Sequence, residues 1–147
     1  MPYVPSKAEA VLLALAAQLA TVVGVVVRRN TPVEAAMEVP SGGLIILRDG
    51  EPGEPEVVLS PVSYHYEHQA EVEIYVTGPR RLLDQQFDTL RQAVGLALFA
   101  NRTLGGVVMW VEPVAAVAMD LPALSELPIK AASLPVRLVY VTSNPLN

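Results

Sequence analysis

Residues 63–76 read SYHYEHQAEVEIYV, a stretch that holds both histidines of the chain, three of its glutamates and three of its five tyrosines. Such a density of His and Glu invites a metal or acid/base centre. The order of side chains argues for a strand instead. Tyr64, Tyr66, His68, Ala70, Val72, Ile74 and Val76 fall on one face of an extended chain, and His65, Glu67, Gln69, Glu71, Glu73, Tyr75 and Thr77 fall on the other. The reading is one long strand with a buried face and a wet face, and the rest of the fold is organised around it.

Downstream, Gly78-Pro79 stops that strand and opens a helix, with proline at or near the first helical position, where its missing donor costs nothing. In RRLLDQQFDTLRQAVGLALFANR the apolar set Leu83, Phe87, Leu90, Val94 and Leu98 recurs at helical spacing, and Asp84, Gln85, Asp88, Arg91 and Gln92 lie opposite. Asn101–Gly106 makes the turn out. Val107–Val111 and Val114–Met119 form one strand bent at Pro113 or two short ones, because proline cannot donate to a ladder. Asp120–Pro128 is a loop. Ile129–Thr142 is the last strand, with Leu134, Val136, Leu138 and Tyr140 on one face and Ser133, Pro135 and Arg137 on the other. Pro135 there suggests an edge, a bulge or a bend.

Upstream, Ser6-Lys7-Ala8-Glu9 has capping-box spacing, and Val11, Leu12, Leu15, Leu19 and Val22 continue a helix from about Lys7 to Ala20. The β-branched run Val22–Arg29 fits a buried strand. Val33–Gly43 is irregular. Leu44–Arg48 is a short strand closed by a turn at Asp49-Gly50, and Val57–Leu59 is expected to pair back on it across the loop Glu51-Pro52-Gly53-Glu54-Pro55. The element order α-β-β-β-β-α-β-β describes an α+β fold, a mainly antiparallel sheet with both amphipathic helices on one face, in a single domain spanning 1–147.

Composition narrows the function. Apolar residues make up 52% of the 147 and charged ones 17%, which leaves little polar surface for a small monomer and implies cover by partners. A formal charge of −5 argues against a surface that grips duplex DNA. With no cysteine, disulfides, thiolate metal sites and thiol nucleophiles are excluded together. No apolar run has the length of a membrane span, and MPYVPSKAEA lacks a basic segment leading into an apolar one, so a cytoplasmic product is expected.

Each constellation that could carry chemistry has a plainer reading. His65 and His68 fall on opposite strand faces and cannot share a metal, and His65 with Glu67 lacks a third ligand. Glu67, Glu71 and Glu73 could supply an acid and a base only if their environments differed, whereas they line one solvated face, with Arg137 and Lys130 available as partners. Gly42-Gly43 and Gly105-Gly106 lack phosphate-loop spacing, and no serine has a nucleophile-elbow context. No catalytic residue, metal or cofactor is expected. The doublets Arg28-Arg29 and Arg80-Arg81 read as solvated ends or halves of intersubunit ion pairs. With Glu67, Glu71, Glu73 and Arg137 they are the candidate subunit or channel contacts. The acidic segment of Asp49, Glu51 and Glu54 is a candidate contact arm.

The segments GGLIILRDGEPGEPEVVLSP, YHYEHQAEVEIYV, LLDQQFDTLRQAVGLAL, NRTLGG and PIKAASLPVRLVYVT, together with the element order, resemble the tail terminator proteins of long-tailed phages and of the phage-like gene transfer agents of alphaproteobacteria. The resemblance covers nearly the whole chain and brings no catalytic motif. It implies a homohexameric ring in the virion tail at the head–tail junction, assembled in the host bacterial cytoplasm. Its partners would be the major tail tube protein and the head connector, with DNA passing through unread and no membrane involved. An acidic, apolar-rich subunit suits a closed ring around a channel. The competing readings are another neck, tail-completion or tube-related ring protein, a small enzyme, and a small-molecule binding module.

Overall fold

A computed structural model describes residues 2–32, 38–119 and 128–147. The elements run α1 (Lys7–Leu19), β1 (Val26–Arg29), β2 (Leu44–Glu51), β3 (Glu56–Val58), β4 (Ser63–Thr77), α2 (Arg80–Ala100), β5 (Trp110–Pro113), β6 (Val117–Ala118) and β7 (Ile129–Thr142). The expected α+β architecture is present, and of the two alternatives left open between α2 and the last strand, two short strands form, β5 and β6. Among the described residues the strands form one sheet in the order β1-β2-β4-β7-β5, with β3 also on β4 and β6 also on β7. All pairings are antiparallel except β1 with β2.

The alternation that opens the sequence becomes the axis of the molecule. β4 pairs with β7 without interruption from Tyr64↔Thr142 to Thr77↔Ile129. The even-numbered face of β4 packs with that of β7 against both helices, so that Val72, Ile74, Val136 and Leu138 meet Leu15, Leu19, Val94 and Leu98 in one core. Each of those eight is nearly or fully withdrawn from water. At about 25 cal/mol per Å² of apolar surface removed from water, this layer is the main stabilising term.

Several local expectations are corrected. Ser6 does cap α1, accepting from the Glu9 amide at 3.2 Å, but the Glu9 carboxylate does not return to Ser6 because Arg29 takes both of its oxygens. β1 starts four residues later than the Val22–Arg29 run suggests. Gly24 turns there at φ +81°, and a Cβ on Gly42 would lie 1.8 Å from the Gly24 carbonyl oxygen, so two chain segments cross where a strand would collide.

Asp49-Gly50 is a bulge within β2, not a turn: Arg48 faces Glu71 while Glu51 faces Gln69, one extra residue on the β2 side. Gly50 supplies the positive φ this needs. The Leu44–Arg48/Val57–Leu59 hairpin does not form. β2 occupies the far part of β4, and the Pro52–Pro55 loop carries the chain along β4 to its first, unoccupied rungs, where Glu56, Val57 and Val58 face His65, Tyr64 and Ser63. Pro135 lies at neither an edge nor a bulge. It sits in β7 between β4 and the β5/β6 side, and its carbonyl accepts from the Val114 amide at 2.8 Å. An antiparallel residue turns its N–H and C=O to the same side, so the absent N–H falls at the break between β5 and β6, where no ladder partner is missed.

The irregular segment expected at Val33–Gly43 and the loop expected at Asp120–Pro128 fall largely on residues that are not described. Residues 33–37 and 120–127 lie outside the described residues, and Pro40–Gly43 is a turn.

Candidate interaction face of the sheet

The side of the sheet away from the helices carries most of the polar residues singled out above, and its two ends differ. At the end formed by the last rungs of β4, Leu44, Ile46, Tyr75 and Ala131 are buried, with Val39, Met119 and Ile129 packed on them. Glu73 is therefore not on a wet face. It is 6% exposed, its Oε2 accepts from Arg48 Nε at 2.9 Å, and its Oε1 accepts from the Tyr75 hydroxyl at 2.7 Å. Burial first, and then the bond to Glu73, pushes the Tyr75 hydroxyl well above its ordinary pKa. The bond to Glu73 likewise raises that of Arg48.

The opposite end is open. Glu67 and Glu71 are exposed and make no ion pair among the described residues. Arg137 sits between them in register, facing Gln69 on β4 and Glu112 on β5, yet Glu112 pairs with Arg102. The Arg137 Nε is buried without a hydrogen bond among the described residues. Lys130, expected to serve the glutamate row, has even parity and projects to the helix side, where it pairs with Asp84 at 2.7 Å and lies over the Phe87 ring.

The two arginine doublets behave differently. Neighbouring residues on a strand point to opposite faces, so Arg28 and Arg29 part company. Arg28 is exposed. Arg29 turns to the helix side and holds both oxygens of Glu9 on α1 and both of Asp49 on β2. That bonding holds the Glu9 and Asp49 carboxyls below the usual carboxylate range, while Arg29 is held above its own. Asp49 is thus tied into the domain and is not part of an arm, while Glu51 and Glu54 are exposed. Arg80 and Arg81 are exposed at the start of α2.

The histidines part in the same way. His68 is 3% exposed, its Nε2 donating to the Asp49 carbonyl at 2.6 Å and its Nδ1 accepting from the Tyr140 hydroxyl at 3.0 Å. A carbonyl only accepts, which sets the tautomer. Burial pushes the Tyr140 hydroxyl up to about 12. His65 is on the other face, where its Nε2 meets Ser63 Oγ at 3.1 Å. Among the described residues no three His, Asp or Glu side chains gather as a metal-holding group, and no helix is long and apolar enough to cross a membrane.

The open end contains a cleft of about 530 Å³ between the arm and β5, lined by Pro52, Gly53, Glu54, Glu56, His65, Tyr66, Glu67, Met109 and Val139. Three carboxylates line it together with the apolar side chains of Met109 and Val139. Met109 is 53% and Trp110 41% exposed, and Trp110 is the register partner of Val139. Neither Met109 nor Trp110 is distinguishable from a core residue by sequence, since Trp110 is placed on the outer side only by its pairing with Val139, and Met109 precedes the strand. A second cavity, of about 210 Å³, lies between the start of β2 and α2 and is lined mainly by Val22, Val76, Leu90 and other small or apolar groups. It brings together no acid and base. No protein-family model matches the chain, and no curated protein matches its sequence.

Proposed function

We propose that the chain is a structural virion subunit. It assembles as a homohexameric ring at the head-proximal end of a tail tube, ends tube polymerisation and offers the docking surface for the head connector. It carries out no catalysis and needs no cofactor. The observation that carries this reading is the open end of the outer sheet face. There a long strand presents Glu67 and Glu71, on either side of Arg137 but in no ion pair among the described residues, beside exposed Met109 and Trp110. A face on which carboxylates outnumber cations repels passing DNA weakly instead of holding it, since retention needs clustered Lys and Arg. Exposed apolar side chains next to that wall suit contacts with neighbouring subunits. The resemblance to tail terminators supports the same reading.

Particles assembled without this protein test it by negative-stain imaging. Tails of uncontrolled length, or tails not joined to heads, are the expected outcome. Normal infectious particles refute the terminator role.

A further inference from the structure

We infer that the cleft bounded by Glu54, Glu56, Glu67 and Met109 is a socket for the Arg80-Arg81 end of α2 from a second copy of this chain. The inference deepens the ring reading, on which its second-copy occupant rests. The charges that the fold itself uses are paired: Arg29 with Glu9 and Asp49, Arg48 with Glu73, Arg102 with Glu112 and Lys130 with Asp84. Of the exposed charges left without an ion pair among the described residues, which also include Arg28, Glu38, Glu51 and Glu71, two groups are clustered. Glu54, Glu56 and Glu67 surround the cleft at one end of β4, and Arg80 and Arg81 follow its other end. Ten strand residues separate Glu67 from Thr77, about 33 Å at roughly 3.3 Å per residue. The two sets cannot meet within one subunit.

The arginines are also misplaced for their own helix. α2 starts after Pro79 with no side-chain cap and no acidic residue in its first turn. Two cations at the positive pole of a helix are unfavourable, and carboxylates brought to that pole relieve both the dipole and the doublet. The cleft fits this guest chemically. A guanidinium is planar, weakly hydrated and forked, suited to carboxylates on one side and a flat apolar wall on the other. Met109 and Val139 supply the wall. Leu82, 36% exposed just after the doublet, provides an apolar contact for it. Socket and guest on different ends of one chain make a head-to-tail contact, the kind that closes into rings.

Sedimentation velocity on three proteins tests this: wild type, R80E/R81E, and E54R/E56R/E67R. All should give the same circular dichroism, since every substituted side chain is exposed and free of ion pairs among the described residues. Each variant alone should assemble roughly 10- to 100-fold more weakly than wild type, because attractive pairs become repulsive ones. Mixed in equal amounts, the two variants should assemble again, each acidic end meeting a basic socket and each basic end an acidic one. A wild-type ring that persists in both variants overturns the socket and leaves the ring reading standing, with the cleft then open to a basic segment of another protein. A wild-type chain that stays monomeric at all concentrations overturns both.

Discussion

Replacing Arg29 by methionine removes a side chain that ties α1, β1 and β2 together through ion pairs. Its guanidinium donates four hydrogen bonds, two to the Glu9 carboxylate and two to that of Asp49, at up to 3.1 Å. A charge-assisted bond in a protected site is worth about 1.5–3 kcal/mol. Here the three side chains are between 24% and 39% exposed, so solvent screens much of that. Methionine also leaves two carboxylates facing each other. The net expectation is a loss of about 2 kcal/mol at pH 7 and low salt. For a domain of this size that lowers Tm by roughly 4–8 °C. The sign of the pH dependence follows from the depressed carboxyls. Glu9 and Asp49 have folded pKa values below their ordinary 4.5 and 3.8, so the stabilisation is fully present above that range and is lost as pH falls through the folded values. Urea unfolding of wild type and Arg29→Met at pH 7, 5, 4 and 3 should therefore give two curves that converge on acidification, and at pH 7 the gap should shrink in 1 M salt. Equal stability at pH 7, or a gap that is unchanged at pH 3, would show that Arg29 contributes by packing alone.

Two further substitutions probe the sheet and the core. Gly50→Ala places a Cβ 1.8 Å from the Gln69 carbonyl oxygen at a residue with φ +66°, so the bulge cannot survive unchanged; a loss of roughly 2–4 kcal/mol is expected in chemical unfolding, and a change under 0.5 kcal/mol would mean that the bulge is dispensable. Leu98→Ala empties a fully buried position between α2 and the sheet and should cost about 3 kcal/mol, seen as a Tm lowered by roughly 6–12 °C.

The parts of the fold legible in the sequence are those whose signal is periodic and local. β4, β7 and α2 each carry one apolar face over many residues, and the bounds of β7 coincide with the Ile129–Thr142 run. Pairing is a different kind of information. Val57–Leu59 announces only that it is extended, and whether it lies on β2 or on β4 depends on which rungs of β4 are free. Asp-Gly marks a turn and a glycine bulge with the same two letters, so the continuation of β2 to Glu51 had no separate signal. Glu73 follows the alternation that puts it among exposed glutamates, but it is buried with Arg48 and the Tyr75 hydroxyl on its two oxygens, next to a cluster on which Val39 and Met119, far away in sequence, are packed. One miss was avoidable. A doublet on a strand must send its members to opposite faces, so Arg28 and Arg29 were never equivalent candidates for the same contact.

That difference bears on how the outer face is built. Where a charge serves the fold, the chain supplies its counter-charge within reach: Arg29 answers Glu9 and Asp49, and Arg48 answers Glu73, which the Tyr75 hydroxyl also satisfies. A lone buried Glu73 would be costly, and the pair with its added hydrogen bond offsets that cost. The same sheet shows no such economy a few rungs away, where Glu67 and Glu71 flank Arg137 without an ion pair among the described residues and three carboxylates surround a cleft with an apolar wall. Glu67 and Glu71, four residues apart on one strand face and so about 13 Å from each other at roughly 3.3 Å per residue, repel weakly and gain nothing from each other. Retaining them, together with an arginine doublet at the wrong pole of α2, is a cost to the isolated subunit that folding does not recover. On the proposed reading a second subunit supplies the opposite charge, which makes the carboxylates of this open end, rather than the histidines of the same strand, the place to seek function.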